Sequence, residues 1–455
     1  MTKPEKFNYS LPSGFPEFLP GEKRLEKKIL EIIADTFESY AFTPIETPAV
    51  ERLEVLQAKG HEGDNIIYGA SPIVQGIEDN EPGRGLKFDQ TVPLAAYIAR
   101  HQNDLTFPFT RYQMDMVYRG ERPKSGRYRH FRQCDIDAVG RGKLDLLYDA
   151  QMPAIITEIF EKLEIGNFLV RINNRKVLIG FFTGIGVEEN LVKTCIKIVD
   201  ELDKIGVELV KSKLEQAGIS ATQASEIIDF TGIKGSVDDI LTQLQEKAIL
   251  LSQPDVFSEG IIELKTVITG VRSLKVPEHR YCIDLSIARG LGYYTGTVYE
   301  TTLIGYENLG SICSGGRYED LVGVFVGEKM PGVGISIGLT RLLYRLMDEK
   351  VQLLKPMSAS PAQVMVLNLN SNLMDTYLSI SQQLRHASIN VLTVFGERKI
   401  GDQFKQAEKL GIPFCVVVGD RESETGTAQI KNVETGASIS VPLDLLVTEL
   451  KQRLA

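Results

Sequence analysis

Hydrophobic residues near the start of the chain recur at three- and four-residue spacing. They are Leu25, Ile29, Ile32, Ile33, Phe37 and Tyr40. This spacing predicts an amphipathic helix over residues 21–40, with an apolar stripe that needs a packing partner. Pro44 and Pro48 lie in the extended segment that follows. Because proline donates no backbone hydrogen bond, we expect that segment at a sheet edge or an interface.

β-favouring and polar residues alternate over two later stretches, 109–121 and 128–140, which turn-forming residues separate. The pattern predicts a long antiparallel hairpin with a charged loop. Strand character returns at RYCIDLSIARG and YYTGTVYETTLIG. The glycine-rich CSGGRYEDLVG is expected to form a turn, and PGVGISIGLTRLLYRLMDEK to change from strand to helix after Gly338.

Two other regions have patterns of their own. Residues 185–275 show helical periodicity interrupted by glycines, which predicts an inserted helical domain. KPMSASPAQ has the composition of a linker, and the residues after it alternate β-rich runs with helical stretches at 374–388 and 400–410. This alternation is typical of a parallel α/β sheet, here followed by a hairpin and a last helix.

Composition narrows the class of protein. The chain has 455 residues, 43% of them hydrophobic, and a net charge of −9, which is ordinary for a globular protein of several domains. Its five cysteines include no C-x-x-C pair, so we expect neither a disulfide framework nor a zinc site, and a reducing cytoplasm fits best. We expect no secretion or membrane span, because an apolar signal region and a run of about 18 apolar residues are both missing.

Charge is distributed unevenly along the chain. Residues 119–133 set one acidic residue, Glu121, against six basic ones: Arg119, Arg122, Lys124, Arg127, Arg129 and Arg132. An anionic ligand is therefore expected at this stretch. Residues 181–270 hold 8 Lys+Arg and 15 Asp+Glu, so we expect them to be a poor site for phosphate contact.

Two arginines stand among glycines. Arg289 follows an apolar strand and precedes GLGYYTG, and Arg341 follows the glycines of GVGISIG. A lone arginine is usually a solvated charge, but glycines let a backbone or ligand approach, which favours pairing with a buried anion or a phosphate. The sequence has no P-loop, no dinucleotide-binding glycine pattern and no H-E-x-x-H metal motif.

These segments together resemble the motifs of one enzyme family. VYRGE, the basic loop and RHFRQCDID resemble motif 2 of class II aminoacyl-tRNA synthetases, GVGISIGLTRLL resembles motif 3, and the helix ending at YAFTPIETP resembles motif 1. ARGLGYYTGTVYE and SGGRYEDLVG are similar to segments peculiar to histidyl-tRNA synthetases. The likeness covers residues 9–455.

The resemblance implies an α+β fold in which an antiparallel-sheet catalytic domain carries a helical insertion and is followed by a C-terminal α/β anticodon-binding domain. The implied parts are residues 1–184 (motifs 1 and 2), the insertion 185–275, residues 276–352 (the histidine signature peptides and motif 3), the linker 353–361 and the anticodon-binding domain 362–455. It also implies a homodimer formed through motif 1.

By the same resemblance the chain activates L-histidine with ATP and transfers it to the 3′-terminal adenosine of histidine tRNA. The implied ATP-binding residues are Arg119 for the α-phosphate, Glu121 for the adenine amino group, Arg127 for the γ-phosphate, and Phe131 and Arg341 for the two faces of the ring. Arg289 joins Arg119 as a catalytic residue at the α-phosphate. Mg²⁺ is expected to be held mainly by the ATP phosphates, so no side chain is assigned to it.

The implied histidine-binding residues are Asp89, Thr91, Gln133, Asp137, Tyr293 and Tyr294. Arg122 and Lys124 are the implied contacts to the tRNA acceptor end. The family more often has Asp where this chain has Gly292, and often Glu where it has Asp137. These departures leave the shape of the histidine pocket open.

Two alternatives compete with an enzyme. A non-catalytic relative, such as a histidine-sensing regulatory subunit of ATP phosphoribosyltransferase, usually lacks the C-terminal domain and loses the motif arginines, whereas Arg119, Arg289 and Arg341 are all present here. A sensor of uncharged tRNA would be expected to carry kinase motifs on the same chain, and the sequence contains none.

Overall fold

The computed structural model describes residues 8–58, 66–72, 83–123, 128–288, 294–319, 321–348, 354–396 and 398–454. The chain divides into two units, one of residues 1–16 and 29–354 and the other of residues 17–28 and 355–455. The long N-terminal helix α1 (Pro20–Ser39) matches the helix that the apolar spacing predicts.

The first unit is organised around a sheet of eight strands among the described residues. The described part of this unit has ten strands in all: β1 (Thr43–Pro44), β2 (Val50–Arg52), β3 (Arg84–Leu86), β4 (Phe109–Tyr118), β5 (His130–Val139), β6 (Phe168–Asn174), β7 (Tyr281–Ile283), β8 (Tyr294–Leu303), β9 (Cys313–Tyr318) and β10 (Gly332–Ile337). The sheet order is β1-β4-β5-β10-β9-β8-β6-β7, and β2 and β3 form a separate pair.

Some helices of this unit pack against strands of the large sheet, and others pack against neighbouring helices. Those after α1 are α2 (Leu53–Leu56), α3 (Thr91–His101), α4 (Leu147–Lys162), α5 (Arg175–Gly184), α6 (Glu189–Val199), α7 (Leu202–Ile205), α8 (Val207–Gln216), α9 (Ala221–Thr231), α10 (Val237–Leu250), α11 (Asp255–Ser273), α12 (Gly323–Val326) and α13 (Leu339–Met347). Residues 185–275 are thus helical, as the periodicity predicts, while their bounds as a domain stay a prediction.

The predicted hairpin forms two neighbouring strands of the large sheet. Strands β4 and β5 pair antiparallel from Phe109↔Val139 to Tyr118↔His130. Alternate residues of a strand point to opposite faces. The even-numbered residues Cys134, Ile136 and Ala138 of β5 are buried hydrophobics. The odd-numbered Phe131, Gln133, Asp135 and Asp137 are aromatic or polar and therefore share the other face of the sheet.

The prediction of a turn at CSGGRYEDLVG was wrong for its first half. Cys313–Tyr318 is the strand β9, which pairs with β8 and β10. A Cβ added to Gly315 would lie 2.1 Å from the carbonyl oxygen of Gly334. Glycine is required here because the neighbouring backbone lies too close for a side chain. A glycine-rich segment can therefore be a strand as well as a turn.

Aromatic packing joins the helical segment to the rest of the first unit. The ring of Phe181 in α5 stacks on that of Phe230 in α9, with centroids 3.8 Å apart. Phe257 in α11 packs against both rings. These contacts hold α9 and α11 beside α5, and α6 follows α5 directly along the chain.

The second unit has a five-stranded mixed sheet of order β12-β11-β13-β14-β15. Its strands are β11 (Val364–Val366), β12 (Val391–Thr393), β13 (Phe414–Val417), β14 (Thr427–Asn432) and β15 (Ser438–Pro442). Its helices are α14 (Met374–His386), α15 (Ile400–Leu410), α16 (Asp420–Thr425) and α17 (Leu446–Leu454). The first three strands are parallel and the last two form a hairpin, which confirms the predicted α/β pattern. Across both units, no helix in the described ranges has the length and apolar content needed to cross a bilayer.

Candidate active site

A cavity of about 650 Å³ lies on the polar face of the large sheet. The start of α3, the insertion helix α6 and the helix α13 contribute the other walls. Nine predicted site residues line it: Asp89, Thr91, Arg119, Glu121, Arg122, Phe131, Gln133, Tyr294 and Arg341. The fold thus brings residues from distant parts of the sequence into one cavity.

Arg119 is held between two aromatic rings just after β4. Its guanidinium carbon lies 4.5 Å from the centroid of the Phe88 ring and 5.0 Å from that of the Phe131 ring. Its Nε donates a hydrogen bond to the Phe88 carbonyl at 3.3 Å. The rings and this bond orient a permanent positive charge in the cavity, where it can bind an anionic group.

Other cations line the same cavity. Arg341 in the first turn of α13 donates from Nη2 to the carbonyl of Leu309 at 2.6 Å. Arg122 is exposed and Glu121, the residue before it, is half-buried. Several guanidinium groups around one cavity suit a polyphosphate, because each offers a planar pair of donors to phosphate oxygens.

The acidic and amide groups stand at the start of α3 and on β5. Oδ1 of Asp89 accepts a hydrogen bond from the backbone N–H of Val92 at 3.1 Å, and Thr91 begins α3. Nε2 of Gln133 donates to the Ser336 hydroxyl at 2.5 Å. Oε1 of Gln133 is buried and, within the part of the chain described, accepts no hydrogen bond. A ligand N–H in the cavity would satisfy this acceptor.

Asp137, a predicted histidine-binding residue, is placed behind the cavity wall and is not among the lining residues. Its Oδ2 pairs with Nη2 of Arg111 at 2.5 Å, and its Oδ1 accepts a hydrogen bond from the Tyr318 hydroxyl at 3.0 Å. Both carboxylate oxygens are therefore engaged by protein groups.

Four predicted site residues, Arg127, Lys124, Arg289 and Tyr293, lie outside the described residues, as does the departure at Gly292. The chain on either side of residues 289–293 is described. Arg175, at the start of α5, donates to the carbonyls of Ala288 at 3.2 Å and Tyr294 at 3.1 Å. Arg175 therefore connects the two described residues that flank this segment.

The sequence interpretation missed several lining residues. Asp135 lies two residues before Asp137 on the same face of β5 and lines the cavity. Lys193 and Lys197 of α6 also line it, although their stretch is acidic overall. Their spacing of four residues puts both lysines on one side of α6, a signal that the summed charge of the stretch conceals.

Two buried carboxyl groups of β5, those of Asp135 and Asp137, have raised pKa values. Burial raises the pKa of Asp135 to about 7 and that of Asp137 to about 6, although the nearby Arg111 opposes both shifts. In the unfolded chain such groups titrate near a pKa of about 3.9. Between about pH 4 and about pH 7 these two groups therefore bind more protons in the folded protein than in the unfolded chain, so their contribution to stability falls as the pH rises through that range.

We therefore expect the thermal midpoint of the ligand-free protein to increase when the buffer changes from about pH 8 to about pH 6. Asp135→Asn should weaken this dependence because it removes one of the two groups. The control is Asp229→Asn, since Asp229 is exposed on α9, and the control should keep the dependence. A midpoint that falls on acidification over this range, or an unchanged slope in the Asp135 variant, would contradict the expectation.

Comparison with known proteins identifies similar sequences and structures. The family model described as histidyl-tRNA synthetase matches residues 14–342, and the model described as anticodon binding domain matches residues 363–453. A protein named histidine–tRNA ligase from Trichormus variabilis is 60% identical, and the alignment covers 100% of both chains. One of the same name from Clostridium tetani is 40% identical over 97% of this chain and 98% of that one.

A solved structure agrees with the sequence matches. The crystal structure of histidyl-tRNA synthetase from Nostoc sp. PCC 7120 is 60% identical and superposes with a TM-score of 0.90. The match covers 98% of this chain and 100% of that one.

Proposed function

Because the chain belongs to the histidyl-tRNA synthetase family, we propose that it is a histidine–tRNA ligase. In the first step it joins L-histidine to ATP, giving histidyl-adenylate and pyrophosphate. In the second it transfers histidine to the 3′-terminal adenosine of histidine tRNA. The observation that carries the proposal is one cavity that combines guanidinium groups for phosphates with buried acidic and amide groups for an amino acid.

ATP would occupy the part of the cavity that contains Arg119 and Phe131. Arg119 binds the α-phosphate, Glu121 accepts a hydrogen bond from the adenine amino group, and Arg127 contacts the γ-phosphate. The adenine ring stacks between Phe131 and Arg341. Since the Arg119 guanidinium now lies 5.0 Å from the Phe131 ring, a bound adenine would share that ring with it.

The proposed chemistry is an in-line displacement at phosphorus. A carboxylate oxygen of histidine attacks the α-phosphorus while the bond to the pyrophosphate oxygen breaks. Arg119 and Arg289 would stabilise the negative charge that accumulates on the α-phosphate oxygens. Mg²⁺ would bind mainly to the ATP phosphates, which supply most of its oxygen ligands. It would therefore need few ligands from the protein.

Histidine would bind among the acidic and amide groups. Asp89, Thr91 and Gln133, which line the cavity, would surround the α-ammonium group, and the unsatisfied Oε1 of Gln133 supports this role. Tyr293 and Tyr294 would form a wall for the ring, and Asp137 would act from behind the cavity wall through its contact with Tyr318.

The tRNA would meet the protein at two places. Arg122, which is exposed at the rim of the cavity, and Lys124 would contact the acceptor end. The anticodon would bind the C-terminal domain, in agreement with the anticodon-binding domain model that matches residues 363–453. We further propose that the protein acts in the cytoplasm as a homodimer formed through motif 1.

The regulatory-subunit alternative is not favoured. The compared relatives that align along their full length at 60% identity are named histidine–tRNA ligase. The chain also carries the C-terminal anticodon-binding domain and the cavity arginines Arg119 and Arg341.

The test is amino-acid-dependent exchange of pyrophosphate into ATP, measured with purified protein and each of the twenty amino acids separately, without tRNA. Exchange with histidine alone is the expected result, followed by transfer of labelled histidine to histidine tRNA. Folded protein that binds histidine but catalyses no exchange would refute the ligase proposal and favour the regulatory one.

A further inference from the structure

We propose that the N-terminal turn, residues 12–15, is a positioning element for ATP. It supports the neck of the β4–β5 hairpin, defined here as residues 118–121 and 129–130, and so holds Glu121 where the adenine amino group binds. The inference rests on the proposed function, since its effect is on the use of ATP in that reaction. None of the motifs recognised in the sequence includes this turn.

The N-terminal turn has a defined backbone conformation. The N–H of Phe15 donates to the carbonyl of Pro12 at 3.1 Å, which closes a four-residue turn. Gly14, at the third position, has a φ of +85°, which residues with a side chain rarely adopt. A Cβ added to Gly14 would also lie 3.0 Å from Cγ of Arg129. Glycine is therefore required both by the turn and by its contact with the neck.

Backbone hydrogen bonds join the turn to the neck. The carbonyl oxygen of Gly14 accepts from the N–H of Arg129 at 2.7 Å and from the N–H of His130 at 3.3 Å. His130 is the first residue of β5. One backbone oxygen of the turn therefore holds the chain at the point where the second strand of the hairpin begins.

The neck connects this support to the residues proposed to bind ATP. The N–H of Arg119 donates to the carbonyl of Arg129 at 2.8 Å. Nε of Arg129 donates to the carbonyl of Glu121 at 2.9 Å. Arg119 and Glu121 both line the cavity. A displacement of the turn would therefore move Arg129, and with it the backbone of both cavity residues.

Aromatic rings anchor the turn against the neck. The ring of Phe15 lies 5.8 Å from that of His130 and 6.0 Å from that of Tyr68, measured between centroids. The His130 ring stacks on that of Tyr118, its cross-strand partner, at 5.0 Å. Such aromatic pairs stabilise a contact beyond the apolar area they bury. Phe15 is therefore the side chain that fixes the turn in place.

The segment that contains Tyr68 also contacts the neck. The N–H of Gly120 donates to the carbonyl of Ile66 at 2.8 Å. A Cβ added to Gly120 would lie 2.5 Å from Cγ2 of Ile66, so the two segments are closely packed. Phe15 thus joins two segments that each bind the neck through the backbone, and loss of its ring would loosen both.

The experiment measures histidine-dependent pyrophosphate exchange in the wild type, Phe15→Ala and the control Tyr9→Ala. Tyr9 precedes the turn and is 96% exposed. Phe15→Ala should raise the ATP KM about 10-fold and leave the histidine KM unchanged, because a displacement of about 1 Å in a positioned group can cost up to about 10²-fold. Tyr9→Ala should change neither constant. A wild type without any exchange would refute the proposed function itself, whereas an active wild type with the same ATP KM as Phe15→Ala would refute only this inference.

A second measurement separates positioning of Glu121 from a general effect on folding. The wild type should prefer ATP to purine riboside triphosphate, which lacks the amino group that Glu121 would bind. Phe15→Ala should reduce this preference, because the displaced Glu121 no longer distinguishes the two nucleotides, whereas lower stability alone would leave the preference unchanged. Phe15→Tyr keeps the ring and should restore both the ATP KM and the preference.

Gly14→Ala tests the turn without removing the ring. It should also raise the ATP KM, because alanine disfavours the positive φ and its Cβ would press on Arg129. If Phe15→Ala fails to fold, Phe15→Leu keeps most of the apolar volume without the aromatic stacking and should show the same change in nucleotide preference. An unaltered preference in the folded Phe15 and Gly14 variants, or no recovery in Phe15→Tyr, would overturn the assignment.

Discussion

Replacing Arg119 with alanine is expected to slow histidine-dependent pyrophosphate exchange by about 10²–10³-fold, the usual cost of losing one preorganised donor to a transition-state charge. The structure supports a large effect because Phe88 and Phe131 already hold the guanidinium group in place. Its position is fixed before ATP binds, so little reorganisation is needed during the reaction.

Arg119→Lys is the matched variant. Lysine keeps the positive charge but lacks the planar pair of donors, so it should recover only part of the lost rate. Both variants should keep a thermal midpoint near that of the wild type, because Arg119 is only half-buried and lines an open cavity, so its replacement leaves no void in the core. An alanine variant that exchanges pyrophosphate within a factor of a few of the wild type would remove Arg119 from the proposed mechanism.

The second large effect concerns stability. Arg317→Ala is expected to lower the free energy of unfolding of the catalytic unit by about 3–5 kcal/mol, because it leaves a buried carboxylate without its partner. Arg317 on β9 is 5% exposed, and Asp149 on α4 is 0% exposed. Nη2 of Arg317 lies 2.6 Å from Oδ2 of Asp149, and Nε contacts both carboxylate oxygens at 3.1 Å.

The measurement is urea unfolding followed by circular dichroism, since the chain contains no tryptophan. The control is Arg272→Ala, because Arg272 pairs with Asp238 and Glu278 at the surface and should cost less than about 1 kcal/mol. A double variant, Arg317→Met with Asp149→Leu, should recover much of the loss because no buried charge remains. Equal losses in the buried and exposed arginine variants would show that burial of the pair is not the cause.

Periodicity predicted the elements that are regular over many residues. The alternation in β4 and β5 and the three- and four-residue spacing in α1 are properties of the local sequence. They can therefore be recognised without knowledge of the tertiary contacts. Glycine was less informative. It marks a turn in many sequences, but in β9 it is required because the backbone of Gly334 passes close to Gly315. That contact joins strands from different parts of the chain, so no local pattern could reveal it.

The candidate site was likewise predicted only in part from the sequence. The motifs predicted nine residues that the fold places around one cavity, because each motif retains the residue types that its ligand group requires. They did not distinguish Asp135 from Asp137, since both lie on the same face of β5 and carry the same group.

The amino-acid order therefore determined the helices, the strands and the kinds of side chain offered to each face of the sheet. Only the tertiary structure decided which carboxylate is neutralised by Arg111 and which lines the cavity. It also brought Lys193 and Lys197 of an acidic segment to the same cavity. The physical reason is that burial, pairing and unsatisfied hydrogen bonds depend on what packs opposite a residue, and those partners come from distant strands and helices.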